Sequence, residues 1–267
     1  MTVSRPVIPK EHGAWAVLVV PMIVGASVSG RVTVDLVLLL LCALLVFLGT
    51  IPLQTLLRHR FDTRQSPDRV RQARVWGTWY LLGGFIAAVP LLLDGRVFLP
   101  VLAMIGSGTL MGNFLLTRSQ PKTIQSDFLA VAGLCLGAPA AYYVATGVVD
   151  RTALVLWLLN VLFFGWTVFY VQMKIRAVSY RKDRLVCREK IALSRQMLSY
   201  NILVLAIVTF CVLQKLATPY AAIAFLPVTA HALIGTVRLT AKVRFRKLGF
   251  ALLGHSMIFG FILGFLR

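Results

Sequence analysis

Apolar runs of about 20 residues, interrupted by short polar breaks, recur along the whole chain. Wound as α-helix, a run of that length matches the hydrocarbon thickness of a bilayer. Nine spans fit, at about 14–30, 34–57, 75–93, 98–117, 128–147, 152–177, 196–215, 220–237 and 249–266. A membrane β-barrel would alternate apolar and polar positions over shorter segments, and these runs do not alternate. The pattern predicts an all-α polytopic bundle in which residues 1–267 form a single transmembrane domain. Connections such as Leu93-Asp94-Gly95-Arg96 and Val149-Asp150-Arg151 allow only tight helical hairpins. Glycines four residues apart, at Gly108 and Gly112, Gly133 and Gly137, and Gly260 and Gly264, predict close helix approach.

Charge supplies an independent test of that layout. If the nine spans alternate in direction, 23 of the 28 Lys and Arg residues fall on one side of the membrane. They occupy the N-terminal tail, the 2–3 connection, Arg118 and Lys122, the segment from Lys174 to Arg195, and the segment from Arg238 to Lys247. The other side holds Arg31, Arg96, Arg151, Lys215 and Arg267. By the positive-inside rule this predicts a bacterial inner-membrane protein with its N-terminus in the cytoplasm and its C-terminus outside. A net charge of +19 would suggest nucleic acid in a soluble domain, but with 58% hydrophobic residues and a mean hydropathy of +0.82 it reads as topology. No nucleic-acid partner is expected. The four cysteines have no metal-ligand spacing, and three lie in apolar runs as small packing residues. Arg5 and Lys10 followed by an apolar stretch imitate a signal peptide, but Glu11 and Pro21 interrupt that pattern.

Polar side chains within a span are costly, so each is a functional candidate. The second span ends with Thr50, Gln54 and Arg58 spaced by four, so they share a helix face, which Asp62 continues if the helix persists; Arg60 lies between. The sixth span ends in Gln172, Lys174 and Arg176. Gln172 and Arg176 share one face, whereas Lys174 aligns with Thr167 and Asn160, and the sequence does not choose between the two. Snorkelling to the interface would account for the cations alone, but not for Gln54 and Gln172, which lie one turn deeper. Ahead of the first span stands Lys10-Glu11-His12-Gly13-Ala14-Trp15, either a polar mouth or a helix start with an interfacial Trp. His231 and His255 lie in the eighth and ninth spans, and nothing in the sequence pairs them.

The stretch Lys10 to Gly25, KEHGAWAVLVVPMIVG, resembles the opening signature of the YwiC-like family of bacterial membrane proteins, with a looser likeness along the rest of the chain. The nine-helix layout is also similar to the UbiA superfamily of intramembrane prenyltransferases, helped by the segment from Ser126 to Tyr143. That likeness implies acidic motifs at the cytoplasmic ends of the second and sixth spans, holding magnesium against a prenyl diphosphate. The corresponding positions here are Gln54, Arg58 and Asp62, and Gln172 and Arg176, so one carboxylate remains of the four expected. Magnesium requires hard oxygen ligands, and arginine at two of these positions argues against it. No cofactor is expected.

Arginine's planar donor fork suits phosphate oxygens directly. The leading expectation is a UbiA-like bundle that takes an isoprenoid phosphate or another anionic membrane lipid from the cytoplasmic side, with metal-independent prenyl transfer left open. Arg58, Arg60, Lys174 and Arg176 would hold the anion, Gln54 and Gln172 would orient it, and Lys10, Glu11, His12 and Asp62 would form the mouth. Two alternatives stand beside it. One is a transporter or flippase of a small anion or lipid carrier. The other is a haem- or quinone-associated respiratory partner that uses His231 and His255.

Overall fold

The computed structural model describes residues 6–9, 12–61, 66–119, 123–180 and 185–266. Among them are ten helical segments and no strand: α1 (His12–Ser29), α2 (Val34–Phe61), α3 (Pro67–Leu93), α4 (Phe98–Ser119), α5 (Ile124–Leu134), α6 (Gly137–Thr146), α7 (Arg151–Ser179), α8 (Cys187–Leu213), α9 (Pro219–Val237) and α10 (Phe245–Phe265). Eight spans are long and apolar enough to cross a membrane, with α5 and α6 forming one of them; α1 is a shorter apolar helix. The chain is an all-α, multi-pass membrane bundle.

The fifth span is two helices because of Pro139. A prolyl nitrogen cannot donate to the carbonyl of Cys135, and its ring crowds that carbonyl. Leu136 bonds instead to Gly133 and Ala138 to Cys135, in tighter turns that separate α5 from α6. Pro52, by contrast, lies inside a continuous α2, and Pro21 inside a continuous α1. Helices α3 and α8 begin several residues before the apolar runs they carry, so their first turns project beyond the hydrocarbon. Asp150 caps α7 by accepting from the Ala153 amide at 3.1 Å, and Thr123 and Ser126 close a reciprocal box at the start of α5.

The core is built around α7. Its fully buried Phe163 meets Phe225 of α9 and Phe259 of α10, and Phe164 and Trp166 share the same buried cluster with Met197 and Val204 of α8. Glycines bring the helices of this half together. Gly260 and Gly264 of α10 receive Val20 and Ser27 of α1, Gly137 receives Met22, and Gly25 lies on the backbone of Ala138. Gly112 and Gly133 pack on α5 and α4 as the spacing predicts, whereas Gly108 faces open space.

The α2–α3 hairpin forms a second unit. It packs tightly on itself and joins the rest through α1 and α6, while α4 leans on α5. At the end opposite the basic segments, Arg96 bridges to Asp35 at 3.4 Å and ties the α3–α4 turn to the start of α2.

Candidate functional site

Between the α2–α3 hairpin and α4 lies a partly open cavity of about 530 Å³. Its walls come from α1 (Leu18, Met22), α2 (Leu39, Cys42, Ala43, Val46, Phe47, Thr50), α3 (Leu81, Ala88, Leu91, Leu92), α4 (Leu99 to Leu110) and the α5–α6 break (Gly133 to Ala140). The lining is apolar apart from Thr50, Ser107 and the thiol of Cys42. That lining suits hydrocarbon rather than a polar solute.

The α2 wall continues towards the basic end in one row. Thr50 lines the cavity, Gln54 follows one turn on, and Arg58 one turn beyond that. Gln54 is half-buried, whereas Arg58 and Arg60 are exposed and have no hydrogen-bond partner among the described residues. Helix α1 begins alongside this row. Trp15 packs edge-on against Phe47 at 5.2 Å, and the Tyr80 hydroxyl donates to the Val7 carbonyl at 3.4 Å. The non-helical segment before α1 therefore lies near the level of Thr50. That is about 16 Å, or three turns, short of the end of α2 at Phe61. Irregular backbone at such depth occurs where protein covers it or where it lines a polar cavity. Lys10, Glu11 and Asp62, together with the side chain of His12, lie outside the described residues.

The three polar residues that close α7 go to three different neighbours. Gln172 Nε2 donates to Asp127 Oδ2 of α5 at 3.4 Å. Arg176 Nη1 donates to Gln196 Oε1 of α8 at 2.7 Å. Lys174 Nζ donates to the Gly235 carbonyl of α9 at 3.1 Å, with the ring of Tyr170 beneath it at 5.2 Å. Neither Gln172, Lys174 nor Arg176 lines the cavity, and α2 has no packed interface with α7 among the described residues. The structure thus keeps Gln54 and Arg58 on one face of α2, with Arg60 two residues on and turned away from that face, and leaves the α7 set apart from all three.

Lys174 has a partner that the sequence did not offer. The last carbonyls of a helix lack intrahelical donors. Lys174 takes that of Gly235, and Lys190 of α8 takes that of Val237 at 2.7 Å, so two lysines cap α9. The histidines, which nothing in the sequence pairs, are paired in the fold: the rings of His231 and His255 lie 4.7 Å apart at 68°. Antiparallel α9 and α10 bring them level, a register that only the tertiary packing shows.

An all-α membrane bundle with an apolar lateral cavity and a cationic end is the class of protein these features define. Within it, the YwiC-like protein family matches residues 8–142, half of the chain, and the chain belongs to that family. The match takes in α1 to α5 and part of α6, including every wall of the cavity. A relative in Bacillus subtilis (strain 168), named "Uncharacterized protein YwiC", is 28% identical over 185 residues, which cover 67% of this chain and 70% of the relative. No solved structure matches.

Proposed function

We propose that the protein binds a long-chain anionic lipid, with the tail in the cavity between α2, α3 and α4 and the phosphate at Arg58 and Arg60. The observation that carries this reading is the row Thr50, Gln54 and Arg58. It leads directly from an apolar cavity wall to Arg58, exposed at the basic end. Each guanidinium–phosphate contact is worth roughly 1.5–3 kcal/mol, and Gln54 can donate to the same anion from one turn deeper. The basic end is then the cytoplasmic one, as the positive-inside rule requires, in the cytoplasmic membrane of a bacterium.

Length favours an isoprenoid. From Arg58 to Leu39, the far wall of the cavity, α2 rises through 19 residues, about 28 Å. The full hydrocarbon core is about 30 Å, so an ordinary phospholipid tail, confined to one leaflet, reaches only about half that far. A polyprenyl phosphate or diphosphate reaches the whole way. The resemblance of the layout to intramembrane prenyltransferases would accord with this occupant, and arginines can stabilise a departing diphosphate as well as hold a bound one. In this reading Lys174, Gln172 and Arg176 brace α7 against its neighbours and do not touch the lipid.

The test is mass spectrometry of lipid retained after purification in a mild detergent. A polyprenyl phosphate held by the native protein and lost in Arg58→Gln/Arg60→Gln supports the reading. Retention of bulk phospholipid alone, unchanged in that variant, contradicts it.

A further inference from the structure

Away from the cavity, α7, α9 and α10 form a layered cluster of rings, buried except for half-buried His231 and His255. In the layer nearer the basic end lie Trp166, Tyr170, His231 and His255. Trp166 stacks on Tyr170 at 5.1 Å, Tyr170 meets His231 at 5.0 Å, and His231 meets His255 at 4.7 Å. The next layer is phenylalanine alone: Phe163 stacks on Phe259 at 4.0 Å, and Phe225 meets Phe259 at 5.4 Å. The polar layer is deep. Counted along α9 and α10, His231 lies about 9 Å and His255 about 15 Å from the basic ends of their helices.

The hydrogen bonds fix the protons of one ring. His255 Nδ1 lies 2.7 Å from the Ala251 carbonyl, which can only accept, so Nδ1 carries the hydrogen and Nε2 of the neutral ring carries a lone pair. His231 has no hydrogen-bond partner among the described residues. Beside it the Trp166 Nε1–H, in a fully buried residue, is also without a partner. A buried indole N–H such as that of Trp166 is nearly always paired, and intramembrane histidines recur in proton relays. The groups that face His231 are Trp166, Tyr170 and Lys174 from α7 and His255 from α10. Lys190 of α8 lies at the end of α9, on Val237. No carboxylate is among them.

We propose that His231 and His255 together bind a single proton, taken up from the basic face past Lys174 and Tyr170. The proton adds to the lone pair of one imidazole, and the N–H so formed donates to the lone pair of the other ring. A second proton is opposed by the first and by the Lys174 ammonium, so the pair takes one charge and not two. The phenylalanine layer closes the path beyond, which makes the pair a one-sided proton-binding site rather than a channel. This inference does not rest on lipid binding in the α2–α4 cavity, and either can fail without the other.

The test is nitrogen NMR of the whole protein labelled in its histidines and held in lipid nanodiscs, titrated between about pH 5 and 8. The expected result is one protonation step that moves the His231 and His255 signals together. Lys174→Gln raises its midpoint by about one pH unit by removing the neighbouring charge. Rings that stay neutral across the range, or that take one proton each with independent midpoints, overturn the proposal. So does a midpoint that Lys174→Gln leaves in place.

Discussion

The Lys174 ammonium donates to the Gly235 carbonyl across 3.1 Å and joins the end of α7 to the end of α9. Gly235 makes room for this contact in a second way, because a Cβ there would run into the Tyr170 hydroxyl. Gly235→Ala is therefore expected to overpack the α7–α9 contact and to lower stability by about 1–3 kcal/mol. Thermal unfolding in detergent measures this. A double variant with Tyr170→Ala should lose less than the sum of the two single losses, because the two substitutions share one contact.

The two lysine caps on α9 act at neighbouring carbonyls from different helices. Lys174→Met and Lys190→Met keep most of the side-chain stem but leave the Gly235 and Val237 carbonyls without their donors. Each is expected to lower stability by about 0.5–1.5 kcal/mol, with the larger effect at half-buried Lys174. Faster hydrogen exchange over Ala232 to Leu239 is the local signature.

Glycine positions provide an internal comparison. At Gly25 an added Cβ meets the backbone of Ala138, which cannot rotate aside, whereas at Gly108 it meets nothing. Gly25→Ala should force α1 and α6 apart and reduce both stability and yield. Gly108→Ala should be neutral or mildly stabilising, by up to about 1 kcal/mol from helix propensity. Equal effects of the two substitutions on thermal unfolding would contradict the α1–α6 contact described here.

The Arg96–Asp35 bridge closes the cavity unit at the end away from the basic segments. Both side chains keep about a quarter of their surface, and the Arg96 Nε is buried without a partner. Solvent screening limits such a pair to about 1 kcal/mol or less. Asp35→Asn and Arg96→Gln should each show a loss of that size in thermal unfolding, and the double variant should lose little more than either alone.

The architecture was legible in the sequence because the cause is simple. Uninterrupted apolar runs can satisfy their backbone in lipid only as helices, and the cations alternate between the connections. The break at Cys135 and Leu136 was written in Pro139 but hidden by the apolar run around it. The glycine pairs indicated close packing, yet Gly108 is open because it turns away from α5, the main packing partner of α4. Least legible was the direction of side chains at the end of α7. Gln172, Lys174 and Arg176 span barely more than one turn, and their faces depend on where α5, α8 and α9 stand. The pairing of His231 with His255 is set in the same way, by the register of two helices that the sequence does not specify. On α2 the row Thr50, Gln54 and Arg58 was already visible from its spacing, and only the cavity that it leads from was not.

Lipid binding in the cavity is tested most directly by photolabelling with an anionic polyprenyl lipid that carries a diazirine near the end of its tail. The protein should be labelled on the cavity walls, within Leu39 to Thr50 of α2 and Leu99 to Leu110 of α4. Arg58→Gln/Arg60→Gln, or Ala103→Trp placed in the cavity, should abolish that labelling. Labelling spread evenly over lipid-facing residues such as Trp79 and Phe85 of α3, and indifferent to these substitutions, would contradict it.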